Sequence, residues 1–279
     1  MRYLTILRYV DAVARAGSIR KAAEALSLTP SAMNRRIQAF EAELGEKIFE
    51  RLPRGVRLNP AGELILHSGR RQMAELDRVR SQIADLAGVR RGHVAIACSQ
   101  ALAPYFLPQQ VAEYGAQFPA VTFDVQVCDR LAAERALVDY AADVALVFGA
   151  SVMPEVQTVM AARQTLHAVV AADHPLAERA TVRLRDCLSW PLALPSLAFG
   201  GRQILERAVA RTSLTMRPVV TSDSFEFLKS YVARGRAVTF QIPVGAPPAE
   251  QGGLVSRPLD ARDVPDGALI IAQLRGRTL

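Results

Sequence analysis

The sequence predicts an N-terminal all-α winged helix-turn-helix with a long linker helix, followed by an α/β domain. Three observations carry this. Within residues 1–58, three short stretches with apolar residues at helical spacing precede a basic hairpin. Residues 60–87 hold one unbroken helical pattern, roughly 40 Å long at ~1.5 Å per residue. From about residue 92, strand-like runs alternate with amphipathic helices, the pattern of a mainly parallel sheet with covered faces.

In the first stretch, 2–16, Tyr3, Ile6, Leu7, Val10, Val13 and Ala14 form the apolar face, and Gly17 ends the helix. Ser18 is placed to cap a second helix carrying Ile19, Ala22, Ala23 and Leu26. Thr29 caps a third with Pro30 at its first position, Met33, Ile37, Phe40 and Leu44 as buried stripe, and Gly45 as its end. The runs 48–51 and 56–58 flank Pro53-Arg54-Gly55 and read as a small hairpin. Asn59-Pro60 opens the long helix, which Gly88 stops. Its Leu76, Val79, Ile83 and Leu86 fall on one seam, suited to pairing with another copy or to packing as an ordinary surface helix. Further strands are expected at 93–98, 121–127, 143–148, 156–160, 166–171, 217–220, 237–242 and 268–274. Helices are expected at 104–118, 131–141, 202–212 and 225–233.

Composition narrows the chemistry. Half of the 279 residues are hydrophobic, which excludes a disordered chain. No apolar run reaches the ~18 residues of a membrane span. Arg8, Asp11 and Arg15 interrupt the stretch where a secretory leader would be apolar, so none is expected. Cys98, Cys128 and Cys187 form no disulfide framework, and reduced, cytoplasmic thiols are expected. His67, His93, His167 and His174 show no metal spacing, and neither a phosphate loop nor a nucleophile elbow is present. No catalytic residue, metal or cofactor is therefore predicted.

The net charge of +7 is uneven. Residues 1–90 hold 16 Lys+Arg against 10 Asp+Glu, and the remainder 18 against 17. This asymmetry fits a polyanion partner for the N-terminal part, or a solvated basic face. The exposed face of the third helix offers Ser31, Arg35 and Gln38, with Asn34 at its margin, side chains able to read base edges. Arg51, Arg54 and Arg57 on the hairpin suit phosphate or minor-groove contact. Arg20 and Lys21 set positive charge in the first turn of the second helix, against its dipole. Ser18, Thr29, Pro30 and Arg36 complete the candidate DNA-binding set.

The stretches 17–26 (GSIRKAAEAL), 30–37 (PSAMNRRI), 40–45 (FEAELG), 48–51 (IFER) and 58–62 (LNPAG) together resemble the DNA-binding domain of LysR-type transcriptional regulators. The likeness is dense over residues 2–66; beyond that it rests on the order and length of elements. Asn34 stands where the family commonly has serine, Met33 where it has valine and Asn59 where it has threonine. The family continues into a final helix where this sequence ends at Leu279.

The resemblance implies a two-subdomain, periplasmic-binding-protein-like effector domain over 92–279. Subdomain I would span about 92–162 plus 267–279 and subdomain II about 163–266, after a DNA-binding domain at 1–58 and a dimerisation helix at 59–88. It implies double-stranded DNA, a small-molecule effector and RNA polymerase as partners, with homodimers assembling into homotetramers and no membrane. Three strand-to-helix junctions are candidate effector contacts: Ser99 and Gln100; Ser196 with Phe199, Gly200, Gly201 and Arg202; and Thr221 with Ser222. By spacing alone these are ordinary helix caps; the resemblance places an inducer cleft there, favouring a small anion. Phe148, Gly149, Phe240 and Gln241 are candidates for its wall. Two rivals stay open: a constitutive DNA-binding protein without an effector, and an enzyme built on a two-lobed binding fold.

Overall fold

The computed structural model describes residues 2–86, 90–149, 153–247 and 253–277. It divides into two compact units, with the boundary near Gly92.

The first unit runs α1 (Arg2–Ala16), α2 (Ile19–Ala25), α3 (Pro30–Leu44), β1 (Phe49–Leu52), β2 (Gly55–Leu58) and α4 (Pro60–Leu86). The caps form as the sequence predicts. Lys21 N–H donates to Ser18 Oγ, Ala32 N–H to Thr29 Oγ1 and Gly62 N–H to Asn59 Oδ1. Gly45 closes α3 in the left-handed conformation. Leu7, Val10, Val13, Ala22, Ala23, Met33, Ile37, Phe40, Ile48, Phe49 and Leu66 make one core. Tyr3, Leu26 and Leu44 extend the apolar pattern but are exposed, because they sit at or beyond helix ends where the core has run out. The β1–β2 hairpin pairs Phe49 with Leu58 through Leu52 with Gly55. It is pinned to the α1–α2 turn by Val56 N–H donating to the Gly17 carbonyl at 3.0 Å. A β-carbon on Gly55 would stand 2.3 Å from that carbonyl oxygen, and its φ is +105°, so only glycine fits. Gly88, expected to stop α4, lies outside the described residues.

The second unit continues with β3 (Arg91–Cys98), α5 (Phe106–Gln117), β4 (Ala120–Val127), α6 (Arg130–Val138), β5 (Val144–Phe148), β6 (Val156–Gln164) and β7 (His167–Ala171). After a 3₁₀ turn at Pro175–Glu178 come α7 (Leu184–Leu188), β8 (Leu192–Pro195), α8 (Gly200–Val209), β9 (Pro218–Ser222), α9 (Phe225–Val232), β10 (Thr239–Gln241), β11 (Leu254–Pro258) and β12 (Gly267–Leu274). One sheet has the order β4-β3-β5-β12-β6; β10-β7-β11 and the pair β8-β9 are separate. Two connections, β6 to β7 and β11 to β12, pass between the large sheet and the second set of strands, dividing this unit into two lobes.

The expectation of a mainly parallel sheet needs correction. β3–β5 and β8–β9 are parallel, but β12 runs antiparallel to both β5 and β6, and β7 antiparallel to both β10 and β11. β12 and β7 are the strands by which the chain enters one lobe from the other, and each runs opposite to both of its neighbours. The largest core lies in the second lobe, around Val169, Leu192, Leu194, Leu205, Leu228 and Val238.

Candidate functional site

The N-terminal unit turns one face of α3 outward. Ser31, Arg35 and Gln38 are exposed and Asn34 is half-buried, because Met33, Ile37 and Phe40 fill the opposite face. Arg36 is committed elsewhere: its guanidinium hydrogen-bonds the Tyr9 hydroxyl and lies 5.3 Å from that ring's centre. Thr29 caps α3 and shares a 3.2 Å hydrogen bond with Ser31, so Ser18, Thr29 and Pro30 set the two helix starts. Lys21 is exposed, and exposed Arg20 has Glu24 at 4.0 Å. On the wing Arg51 and Arg54 are exposed, whereas Arg57 is paired with Glu50 at 2.7 Å.

In the second unit a cleft of about 330 Å³, open mouth included, is lined by residues from both lobes. Ser99 and Phe148 come from the ends of β3 and β5; Phe199, Gly200, Gly201 and Arg202 from the start of α8; Phe240 from β10. Ala101, Leu166, Pro195, Phe225, Gln241 and Ile242 complete it. Of these, Gln241 was a wall candidate at a strand end, whereas Leu166 and Phe225 begin an expected strand and helix and, like Pro195, carry no sequence signal of a site. Gln100, Ser196, Thr221 and Ser222 are not brought to the cleft. Ser196 N–H donates to the Ser222 carbonyl, which ties β8 to β9, and Thr221 faces solvent.

Residues of two of the three predicted junctions therefore converge, and the N–H groups of the third are taken up by local side chains and by Gln100. At α9, Ser224 N–H donates to Ser222 Oγ, Phe225 N–H to Gln100 Oε1 and Phe227 N–H to Ser224 Oγ. The start of α8 differs: Phe199 occupies the cap position and no side chain caps the helix. Gly200, Gly201 and Arg202 of its first turn line the cleft, so the positive end of the helix dipole lies beside it. Gln241 is buried, its Oε1 accepting Ile242 N–H at 2.9 Å, and its Nε2 donates in none of the described hydrogen bonds. Ser99 Oγ receives only a long 3.5 Å contact from Ala101 N–H. Buried Arg202 is held by Glu206 at 2.6 Å and donates to the Pro195 carbonyl.

Phe148 makes the apolar partition. A β-carbon on Gly267 would fall 2.0 Å from its ring, and one on Gly200 would fall 2.8 Å from its carbonyl oxygen. Two glycines thus make the socket that admits the Phe148 ring to the second lobe's core.

Burial raises the Cys98 thiol to about 11 and the Cys187 thiol to about 12, so neither carries the thiolate a nucleophile needs. Burial holds His167 and His174 below the usual imidazole range. No group of three His, Cys, Asp or Glu among the described residues could hold a metal ion, and no described helix is long and apolar enough to cross a membrane.

A basic helix-turn-helix with a wing, in one chain with a two-lobed α/β domain around a donor-lined cleft, is the architecture of a ligand-responsive DNA-binding regulator. Residues 4–63 match the family "Bacterial regulatory helix-turn-helix protein, lysR family", and residues 87–279 the "LysR substrate binding domain". The chain belongs to the LysR family of transcriptional regulators. It is 32% identical over 247 residues to the regulator CysB of Burkholderia cenocepacia, covering 88% of this chain and 79% of that protein. It is 24% identical to the activator CmpR of Synechocystis sp., over 82% of this chain and 75% of that one. Among solved structures, full-length Pseudomonas aeruginosa OxyR, a cysteine-to-aspartate variant, superposes with a TM-score of 0.72 at 23% identity, covering 97% of this chain and 88% of that one. CbnR in complex with its target DNA gives 0.66 at 19% identity, covering 99% and 94%.

Proposed function

We propose that α3 and the β1–β2 wing read and clamp duplex DNA, and that a small anionic effector bound in the cleft adjusts that binding. The observation that carries the effector's charge is the uncapped start of α8 facing the cleft beside the spare donors of Ser99 and Gln241. The Gln241 oxygen is already taken by Ile242 N–H and Ser99 Oγ already faces Ala101 N–H, so what these side chains have left to offer is a hydrogen, and a ligand rich in acceptors fits. Aromatic walls from Phe148, Phe199, Phe225 and Phe240 exclude water around it. Among the described residues lining the cleft, Arg202 is the one ionisable side chain, and Glu206 already holds it. No general acid–base pair meets there, which favours a sensor over an enzyme. Exposed Val79, Ile83 and Leu86 on α4 favour homodimers, with tetramers as the higher assembly and RNA polymerase as the downstream partner in the cytoplasm.

The test is a panel of small inorganic and carboxylate anions, read by thermal shift and by titration of DNA binding. An anion that stabilises the protein should do so more weakly in Ser99→Ala. Loss of one donor to a charged ligand costs roughly 1.5–3 kcal/mol, about ten- to a hundredfold in affinity. A cation that binds where anions do not, or an unchanged response in both Ser99→Ala and Gln241→Leu, overturns this reading.

A further inference from the structure

We propose that Gln100 is a clasp that holds the two lobes of the second unit together. Gln100 follows β3 in the first lobe, yet both ends of its side-chain amide are engaged by backbone of the second. Nε2 donates to the Asp223 carbonyl at 3.0 Å, and Oε1 accepts Phe225 N–H at 2.8 Å. A primary amide presents donor and acceptor side by side, so it pairs with two backbone groups two residues apart much as an adjoining strand does. The contact spans 123 to 125 residues of sequence, so its loss releases a long-range constraint rather than a local turn.

Neighbouring contacts extend the same seam. Lys229 Nζ lies 3.3 Å from the Tyr105 hydroxyl and 4.8 Å from its ring centre. Lys229 is buried on α9 and paired with Glu226 at 2.6 Å. Between Gln100 and Tyr105, Ala101 packs into the second lobe's core. The segment 100–105 is thus docked along α9 by a bidentate amide, a methyl group and a cation–aromatic contact. Gln100 does not line the cleft, so it acts beside the ligand space and sets how readily that space widens. That an entering ligand must work against the clasp rests on the effector reading above; the clasp itself does not.

Hydrogen exchange on the full chain, without any ligand, tests it. Gln100→Ala should speed exchange by about tenfold or more in α9's first turn and also at 199–202 and 241–242, which line the cleft and make no hydrogen bond with Gln100. Ser224→Ala is the control, because it removes only the local cap of α9. It should accelerate 225–228 alone. Gln100→Asn, too short to hold both partners, should reproduce Gln100→Ala and covers the case in which the alanine variant folds poorly. If Gln100→Ala and Gln100→Asn accelerate only 225–228, or nothing, Gln100 is a local cap or a passive contact and the clasp is overturned. A protein that shows the clasp but binds no anion would overturn the cleft reading alone.

Discussion

Arg35 and Arg36 are adjacent on α3 but differ in what their guanidinium groups can do. Arg35 is exposed, while Arg36 is anchored on Tyr9. Arg35→Ala should therefore cost ~1–3 kcal/mol of specific binding and relax preference at one base pair, read by binding to a set of singly substituted sites. Arg54→Ala should weaken all sequences alike and reduce the salt slope by about one. Equal losses on specific and random DNA for Arg35→Ala would make its role purely electrostatic. A second residue-scale outcome concerns His174, whose ring centre lies 4.4 Å from that of Trp190, the sole tryptophan. Burial is the main cause of its lowered affinity for protons; the Arg236 backbone opposes this by less. The unfolded chain takes up this proton as pH falls through ~6.5, and the folded chain does so only at lower pH. Stability from this group is thus fully present above pH ~6.5 and is lost below it, by at most ~1.4 kcal/mol per pH unit. Denaturation followed by Trp190 fluorescence at pH 7.5 and 5.5 should show a smaller loss in His174→Asn, whose side-chain oxygen can still accept Leu176 N–H in place of Nδ1. An equal loss in both proteins would place the pH sensitivity elsewhere.

At the scale of elements, the first unit was readable because each helix announces itself locally. Ser18, Thr29 and Asn59 cap within three residues of where they stand, and the Met33, Ile37 and Phe40 stripe is self-evident. The second unit was less readable because its strands depend on distant partners. β8 is four buried residues ending in a proline, and β11 carries no clean alternation, so neither was predicted. β6 runs to Gln164 with a mostly exposed surface, and its last residues look like a loop until β12 pairs with them. The cleft shows the same division: Ser99 and the Gly200-Gly201 turn were visible as junctions, whereas Leu166 and Phe225 reach it only through tertiary packing. The Phe148 socket gives a sharp test. Gly267→Ala sets a methyl group where the ring lies, and overpacking of this kind costs about 1–3 kcal/mol. Phe148→Leu in the same chain should recover part of that loss in chemical denaturation. Additive losses would show that the two positions do not compete for space.

For the whole molecule, the decisive quantity is how many phosphates one binding event neutralises. A single N-terminal unit offers Arg20, Lys21, Arg35, Arg51 and Arg54 as exposed cations. Two such units joined in one particle double the counterions released, and two half-sites about one helical turn apart then add their base contacts. The joint proposed for this is α4, where Val79, Ile83 and Leu86 are 37%, 59% and 90% exposed in one chain. An apolar stripe so open costs little to change within a single chain, which separates assembly from folding. Ile83→Asp should leave the melting of the N-terminal unit nearly unchanged while placing an unpaired carboxylate in the proposed seam. Ultracentrifugation should then show dissociation at concentrations where the unaltered protein is associated. The slope of log affinity against log salt should fall to about half, since one unit instead of two meets the DNA. An Ile83→Asp protein that stays associated and keeps the full slope would remove α4 as the joint, leaving the second unit as the place where copies meet.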